Sequence, residues 1–210
     1  MASTPHFLEI HPKDPQPRLI ARAASVFESG GVVVYPTDSS YALGCQLGEK
    51  SALDRIRMIR RVDDKHNFTL VCRDLSEIAT YARLDNQAYR QLKSLTPGPY
   101  TFIFQATKQV PRRLLHPKRR AIGIRVPGTP ITQALLAELD QPILSTTLIM
   151  PGDEEPMDDV LEIRETIGHC VDLVIDGGPC GQMPTTVVDM TQEPPAVVRE
   201  GKGDTSVFQH

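Results

Sequence analysis

Apolar residues recur at helical spacing in six segments of the chain. The clearest stripe lies just before the Gly30–Gly31 pair and consists of Leu19, Ile20, Ala23, Ala24 and Phe27. A stripe of this kind followed by glycine predicts an amphipathic helix and a turn. The other helices are predicted over residues 50–60, 75–82, 85–95, 130–139 and 158–168. In the helix predicted over residues 50–60, Ser51 and Asp54 have the spacing of an N-terminal capping box.

Short apolar runs between these segments predict β-strands. The first covers Val32 to Tyr35, and the others read FTLVC, YTFIFQA, AIGIRVP, PILSTTLI, VDLVID, TTVVDM and AVVRE. Because side chains alternate between the faces of a strand, Arg125 is expected to point away from Ile122 and Ile124. Helices and strands alternate first and strands cluster last. This order predicts one α/β domain over residues 1–210, with a twisted mixed sheet flanked by helices.

Charge is distributed unevenly along the chain. The formal net charge is -3 and the pI is about 6.1, which argues against a generally basic nucleic-acid-binding protein. Residues 108–125 nevertheless hold seven Lys or Arg and no Asp or Glu. Two interpretations have equal weight for this segment: a solvated face, or a patch that binds RNA or polyphosphate. The patch would consist of Arg112, Arg113, Lys118, Arg119 and Arg120.

Several functional classes lack their sequence signatures. The four cysteines form no C-x-x-C pair and no signal sequence precedes them, which favours a reduced, cytoplasmic protein. No run of about 18 apolar residues predicts a membrane span. The histidines do not pair at ligand spacing, so no metal site is predicted, and no pattern specifies an oligomeric state. Phosphate-loop, dinucleotide-binding and nucleophile-elbow motifs are also missing.

Hydroxyl and arginine residues stand at the ends of several predicted strands. In α/β sheets, ligands bind in crevices at strand ends, where hydroxyls bind polar groups without adding charge. Any one of these positions is more often a simple turn cap, but the recurrence favours a cleft for a polar, polyanionic ligand. The residues are Thr37, Ser39, Tyr41, Thr101, Ser145, Thr146, Thr147, Thr185, Thr186 and Arg199.

Six motifs in a fixed order resemble the YrdC-like family, and most of all its YciO branch. The segment VVVYPTDSSYALG resembles the family's signature strand and turn, and TPGPYTFIF resembles its Pro-Gly-Pro-x-Thr element. The motifs IGIRVP, PILSTTLI, DGGPCGQMPTTVVD and VVREG follow. The resemblance covers about residues 17–204. It implies an α/β fold with a concave, positively charged cleft.

The resemblance also implies chemistry and partners. Family members are similar to threonylcarbamoyl-AMP synthases, which use threonine, bicarbonate and ATP on the route to threonylcarbamoyladenosine in tRNA, and double-stranded RNA binding is associated with the family. A nucleotidyltransferase-like activity would require Mg²⁺ with ATP but no tightly bound cofactor. Positioning and cationic donors can support such chemistry without a protein base.

Carried over position by position, the resemblance assigns a role to each residue. Thr37, Ser39 and Tyr41 would line the amino-acid side of the cleft, and Arg60 would be the arginine of the family's Lys-x-Arg motif. Thr101 and Arg125 would face the nucleotide or carbamate, and Ser145 with Thr147 would hold phosphate. The remaining wall would consist of Thr185, Thr186 and Arg199.

Two positions depart from the family pattern. Met58 stands where the Lys-x-Arg motif has its lysine, whereas an offset alignment would place Arg57 or Lys65 there. Ile149 stands where the Ser-x-Asn motif has its asparagine. Losing one preorganised donor can reduce a rate ~100-fold or more. Four hypotheses therefore stand side by side. Two are enzymes: a synthase-like enzyme, and an enzyme that cleaves the threonylcarbamoyl group from tRNA. The third is a non-catalytic protein that binds double-stranded RNA, and the fourth, a weaker one, is a regulatory or interaction protein that binds another small metabolite.

Overall fold

Six α-helices, three short 3₁₀ helices and ten strands make up the computed structural model, which describes residues 6–115 and 120–208. The predicted patch residues Lys118 and Arg119 lie outside these ranges. The helices are α1 (Pro17–Glu28), α2 (Lys50–Arg60), α3 (Leu75–Tyr81), α4 (Asn86–Leu95), α5 (Pro130–Leu139) and α6 (Val160–Ile167). The strands are β1 (His6–Glu9), β2 (Val33–Pro36), β3 (Tyr41–Gln46), β4 (Thr69–Val71), β5 (Tyr100–Gln105), β6 (Ala121–Arg125), β7 (Ile143–Thr147), β8 (Leu173–Asp176), β9 (Thr186–Asp189) and β10 (Ala196–Arg199).

All ten strands join one mixed sheet in the order β1-β8-β2-β3-β7-β4-β6-β5-β9-β10. The pairs β1–β8, β2–β8, β4–β6 and β5–β9 are parallel, and the other pairs are antiparallel. The predicted single α/β domain with a mixed sheet is confirmed.

The two faces of the sheet are covered differently. One face packs against apolar residues of α2, α3, α4 and α6, including Leu53, Ile56 and Leu92. On the other face, α1 and α5 cover only the part of the sheet around Tyr35, Ala42, Val71 and Ile143. In the register of the sheet, Ser145, Thr69 and Gly123 continue that second face across β7, β4 and β6. The polar half of this face is therefore open to a ligand.

Most of the predicted elements form near their predicted bounds. The sequence patterns did not predict β1 or β3. β3 was missed because it directly follows the hydroxyl-rich turn after β2, so that its residues resemble a continuation of that turn. The predicted capping box is wrong. α2 begins after Glu49 without a side-chain cap, and Ser51 is exposed inside the first turn. No helix in the described ranges has both the length and the apolar composition needed to cross a membrane.

Candidate functional site

A cavity of about 460 Å³ lies over the open half of the sheet. This volume is within the range of small-molecule binding sites. Three arginines line it: Arg60, Arg125 and Arg199. No Asp or Glu is among the described residues that line it. The other polar lining residues are Thr37, Ser40, His66, Asn67, Thr69, Thr101, Ser145, Thr146, Thr147 and Thr185.

Hydroxyl groups of the cavity lining, and the fully buried hydroxyl of Tyr35, form hydrogen bonds across strands that are distant in sequence. The Tyr35 hydroxyl donates to Oγ of Ser145 over 2.7 Å. Oγ1 of Thr101 and Oγ1 of Thr185 are 2.9 Å apart. Burial raises the pKa of Tyr35 to about 12, so its phenol stays a neutral donor. These bonds fix the orientation of the hydroxyls before any ligand arrives.

Arg125 is held in the cavity by the loop that follows β2. Its NH2 group forms an ion pair with Asp38, and its NH1 group donates to Oγ of Ser39 over 3.3 Å. The second Asp38 oxygen accepts from the backbone N–H of Gly128 over 2.9 Å. Nε of Arg125 is buried and has no partner in the described structure. The guanidinium is thus fixed on one side and retains an unused donor.

Arg199 lies on the edge strand β10. Its guanidinium donates to the carbonyl of Thr185, with Nε and NH2 at 3.2 and 2.9 Å. Partial burial of this guanidinium and the charge of Arg125 both lower the pKa of Arg199. The two cations therefore repel each other across the cavity, and a bound anion would relieve that repulsion.

Arg60 and His66 approach the cavity from outside the sheet. Arg60, at the end of α2, donates through NH1 to the carbonyl of Thr147, and its buried Nε has no described partner. Burial lowers the pKa of Arg60. Nε2 of His66 is 2.9 Å from Oγ1 of Thr146. These groups place a guanidinium and an imidazole beside the end of β7.

The cavity brings together most of the residues predicted from the sequence. Three of the predicted residues are exceptions. Ser39 is buried behind the loop against Arg125, and the Tyr41 hydroxyl bonds to the backbone of Gly177 and Gly178. Oγ1 of Thr186 bonds to the carbonyl of Gly203 on the opposite face of the sheet. The predicted residues that do line the cavity are Thr37, Arg60, Thr101, Arg125, Ser145, Thr146, Thr147, Thr185 and Arg199.

The two departures from the family pattern have different locations. Met58 is 69% exposed on α2 and is not a lining residue. Ile149 lines the cavity just after β7. An apolar side chain thus occupies a position in the cavity wall, whereas the change at position 58 lies on the outer surface.

Sequence reasoning missed His66, Asn67 and Thr69 as lining residues. They lie in the HNFT segment that leads into β4. The only feature of the local sequence that could have indicated these lining residues was a cluster of polar residues immediately before an apolar run. Because β4 is short and central, its first residues open directly onto the cavity.

The basic patch borders the cavity where it is described. Arg112, Arg113 and Arg120 are exposed, and the neighbouring Leu114 and Ala121 line the cavity. NH2 of Arg113 donates to the carbonyl of Gly48 over 2.7 Å. A polyanion bound to these arginines would therefore pass close to the cavity.

Metal ligands and reactive thiols do not converge on this site. Within residues 6–115 and 120–208, no three His, Cys, Asp or Glu side chains cluster as metal ligands. Cys45 and Cys72 are buried, and burial raises the pKa of Cys45 to about 12. The chemistry available in the described cavity is therefore that of guanidinium, hydroxyl, amide and imidazole groups.

Comparison with known proteins gives a consistent result along the chain. The family model for Sua5, YciO and YrdC proteins, described as "Telomere recombination", matches residues 25–201. The uncharacterized protein YciO of Escherichia coli K12 is 55% identical over 96% of this chain and 98% of its own length. A threonylcarbamoyl-AMP synthase of Coxiella burnetii is 28% identical over 80% of this chain and 90% of its own length.

Two solved structures have the same fold. The crystal structure of E. coli YciO superposes with a TM-score of 0.94 and covers 98% of this chain and 100% of that chain. The structure of P. abyssi Sua5 complexed with L-threonine has a TM-score of 0.85 at 22% identity. It covers 93% of this chain, which corresponds to 57% of that protein.

Proposed function

The chain belongs to the Sua5/YciO/YrdC family, and we propose that its cavity binds a threonylcarbamoyl group linked to an adenosine or its phosphate. The protein would then act in the threonylcarbamoyladenosine modification of tRNA. One observation carries this proposal: Arg60, Arg125 and Arg199 converge on a floor of oriented hydroxyls, with no carboxylate among the described lining residues. Such a site is suited to carboxylate and phosphate groups.

The first candidate reaction is adenylate formation from threonine, bicarbonate and ATP. The relatives named threonylcarbamoyl-AMP synthase support it. The guanidinium groups would stabilise charge on the transferring phosphate. Magnesium would enter with the triphosphate and keep water ligands, because the described lining offers it no carboxylate.

The second candidate is cleavage of the threonylcarbamoyl group from modified tRNA. Ile149 favours this direction, because an apolar residue lines the cavity where the family pattern has an amide donor. Weaker stabilisation of phosphate transfer disfavours ATP activation more than it disfavours binding of an already formed threonylcarbamoyl group. The exposed arginines beside the cavity, Arg112 and Arg113, would hold the RNA backbone.

One experiment compares both reactions. The protein is incubated with ATP, Mg²⁺, threonine and bicarbonate, and separately with tRNA that carries threonylcarbamoyladenosine. Pyrophosphate with the adenylate would identify the synthase reaction, and loss of the modified nucleoside would identify cleavage. A threonylcarbamoyl-AMP synthase serves as the positive control for the first reaction. If neither product forms, both candidate reactions are wrong.

A variant pair tests whether the cavity is the site. We expect Arg60→Met to weaken binding of AMP, used as the probe, roughly 10-fold or more, because a charged hydrogen bond contributes about 1.5–3 kcal/mol. Arg22→Met is the matched control, since Arg22 is an exposed residue of α1 that does not line the cavity. Equal affinity in both variants would place AMP elsewhere.

A further inference from the structure

His66 is fixed at the cavity wall by two contacts. Its ring packs edge-on against Phe68, with the ring centroids 5.1 Å apart and an angle of 86° between the planes. Its Nε2 is 2.9 Å from the Thr146 hydroxyl. Within the described residues, no hydrogen bond involves Nδ1 of His66. One nitrogen is therefore held by the protein while the other stays available.

The other polar groups of the wall are poor proton acceptors. Guanidinium groups stay protonated at any physiological pH, and Ser or Thr hydroxyls are too weakly basic to hold an added proton. The amide of Asn67 is likewise not basic. Among the described lining residues, His66 alone has a side chain that titrates near neutral pH.

We propose that His66 is a catalytic residue of this cavity: it takes the proton from a water molecule that attacks the carbonyl carbon of a bound threonylcarbamoyl-adenosine. This inference rests on the proposed cleavage reaction. In the tautomer that this proposal requires, Nε2–H donates to Oγ1 of Thr146 and Nδ1 carries the lone pair that accepts the proton. Thr146 would act as a positioning residue that fixes this tautomer.

The step balances without an oxidant or a metal. The water oxygen forms a bond to the carbamoyl carbon, and its proton goes to His66. The bond between that carbon and N6 of adenosine then breaks, and the imidazolium returns the proton to the departing nitrogen. The products are adenosine with its free amine and N-carboxythreonine, which loses CO₂ to give threonine. A guanidinium beside the carbonyl oxygen would stabilise the negative charge that develops there.

The surroundings of His66 keep the imidazole ready to accept a proton. Burial and the positive charge of Arg60 lower the pKa of His66, Asp63 raises it, and Arg57 lowers it further. The uncharged hydroxyl of Thr146 is the remaining polar neighbour on β7. The ring is therefore neutral at pH 7, as a general base must be.

The test uses the full-length protein and tRNA bearing threonylcarbamoyladenosine. We expect His66→Gln to lower kcat roughly 100-fold or more, the usual contribution of a general base, with KM changed less than about 3-fold. In the wild type, log(kcat/KM) should fall as the pH drops through the pKa of His66, and this inflection should vanish in His66→Gln. Added imidazole should restore part of the activity of His66→Ala. His169→Gln, an exposed histidine after α6, is the matched control.

The possible outcomes distinguish a failure of the proposed cleavage reaction from a failure of the proposed role of His66. If the wild type leaves the modified tRNA unchanged, the proposed cleavage is wrong and the role of His66 is lost with it. If the wild type cleaves and His66→Gln cleaves at the same rate with the same pH profile, only the role of His66 is wrong. A folded His66→Gln protein that binds the tRNA but turns over slowly, without the inflection, supports both. Circular dichroism of each variant establishes that it is folded.

Discussion

Asp38 and Arg125 form an ion pair although the strands they adjoin, β2 and β6, are four places apart in the sheet. Strands are spaced about 4.8 Å apart, so a flat sheet would separate them by roughly 19 Å. The contact forms because the loop after β2 leans over the open face of the sheet and the long side chain of Arg125 extends toward it. Lys202 adds a second tie, since its Nζ donates to the carbonyl of Asp38 over 2.6 Å. This loop is thereby fixed against the cavity.

Removing the carboxylate at position 38 should destabilise the protein. The side chains of Arg125 and Asp38 are only 9% and 15% exposed, so Asp38→Asn leaves a buried guanidinium without its counter-charge. Breaking one partner of such a pair costs about 3–5 kcal/mol, and we expect a loss near the lower value. Urea unfolding measures it. Asp140→Asn is the control, because Asp140 pairs with Arg73 on the exposed surface. Equal losses in the two variants would refute a special role of the buried pair.

Tyr41 should contribute to stability and not to ligand affinity. Its hydroxyl donates to the carbonyl of Gly178 over 2.8 Å and accepts from the N–H of Gly177 over 3.3 Å. Tyr41→Phe leaves these backbone groups without their partner, and we expect a loss of about 1–2 kcal/mol in the free energy of unfolding. The affinity for AMP or threonine should stay the same. Tyr89→Phe, at an exposed tyrosine of α4, serves as the comparison. A large loss of affinity in Tyr41→Phe would instead place the hydroxyl at the ligand.

The basic patch should contribute to RNA affinity through phosphate contacts. Replacing Arg112 and Arg113 together with alanine should reduce the slope of log Kobs against log salt by about 1 per lost contact. Fluorescence anisotropy with labelled double-stranded RNA or tRNA at several salt concentrations measures the slope. The matched double variant replaces the exposed Arg83 and Arg90, which do not adjoin the cavity. An unchanged slope in the Arg112 and Arg113 variant would reject this surface as the RNA site.

The half-buried imidazole of His66 should make stability depend on pH. The pKa of His66 is lowered in the folded protein, whereas an unfolded histidine titrates near 6.5. The unfolded chain therefore binds the proton first, and the contribution of neutral His66 to stability, complete above about pH 6.5, is lost as the pH falls through the folded pKa. Urea unfolding between pH 8 and pH 5 should show His66→Gln gaining stability relative to the wild type as the pH falls. Parallel curves for the two proteins would contradict a half-buried His66 that is neutral in the folded protein.

The local pattern of the sequence determined much of the fold. The stripe of Ile20, Ala23, Ala24 and Phe27 packs as predicted for α1, and Arg125 lies on the face of β6 opposite Ile122 and Ile124. These features depend on the 3.6-residue period of a helix and the 2-residue period of a strand, and each period can be recognised within a single segment of the sequence. The polar strand ends could be found from the sequence for the same reason.

Only the tertiary structure decided which of those polar residues meet. The strand order brings Thr101 to Thr185 and Tyr35 to Ser145, and it turns Thr186 to the far side, toward Gly203. The position of His66 depends on β4 being short and central in the sheet, and the periodicity of the local sequence does not predict this. Likewise, the pairing of Asp38 with Arg125 depends on the loop after β2 reaching over the strands that separate it from β6. Contacts between segments remote in sequence are set by the packing of the whole sheet, and so the cavity is a property of the folded chain.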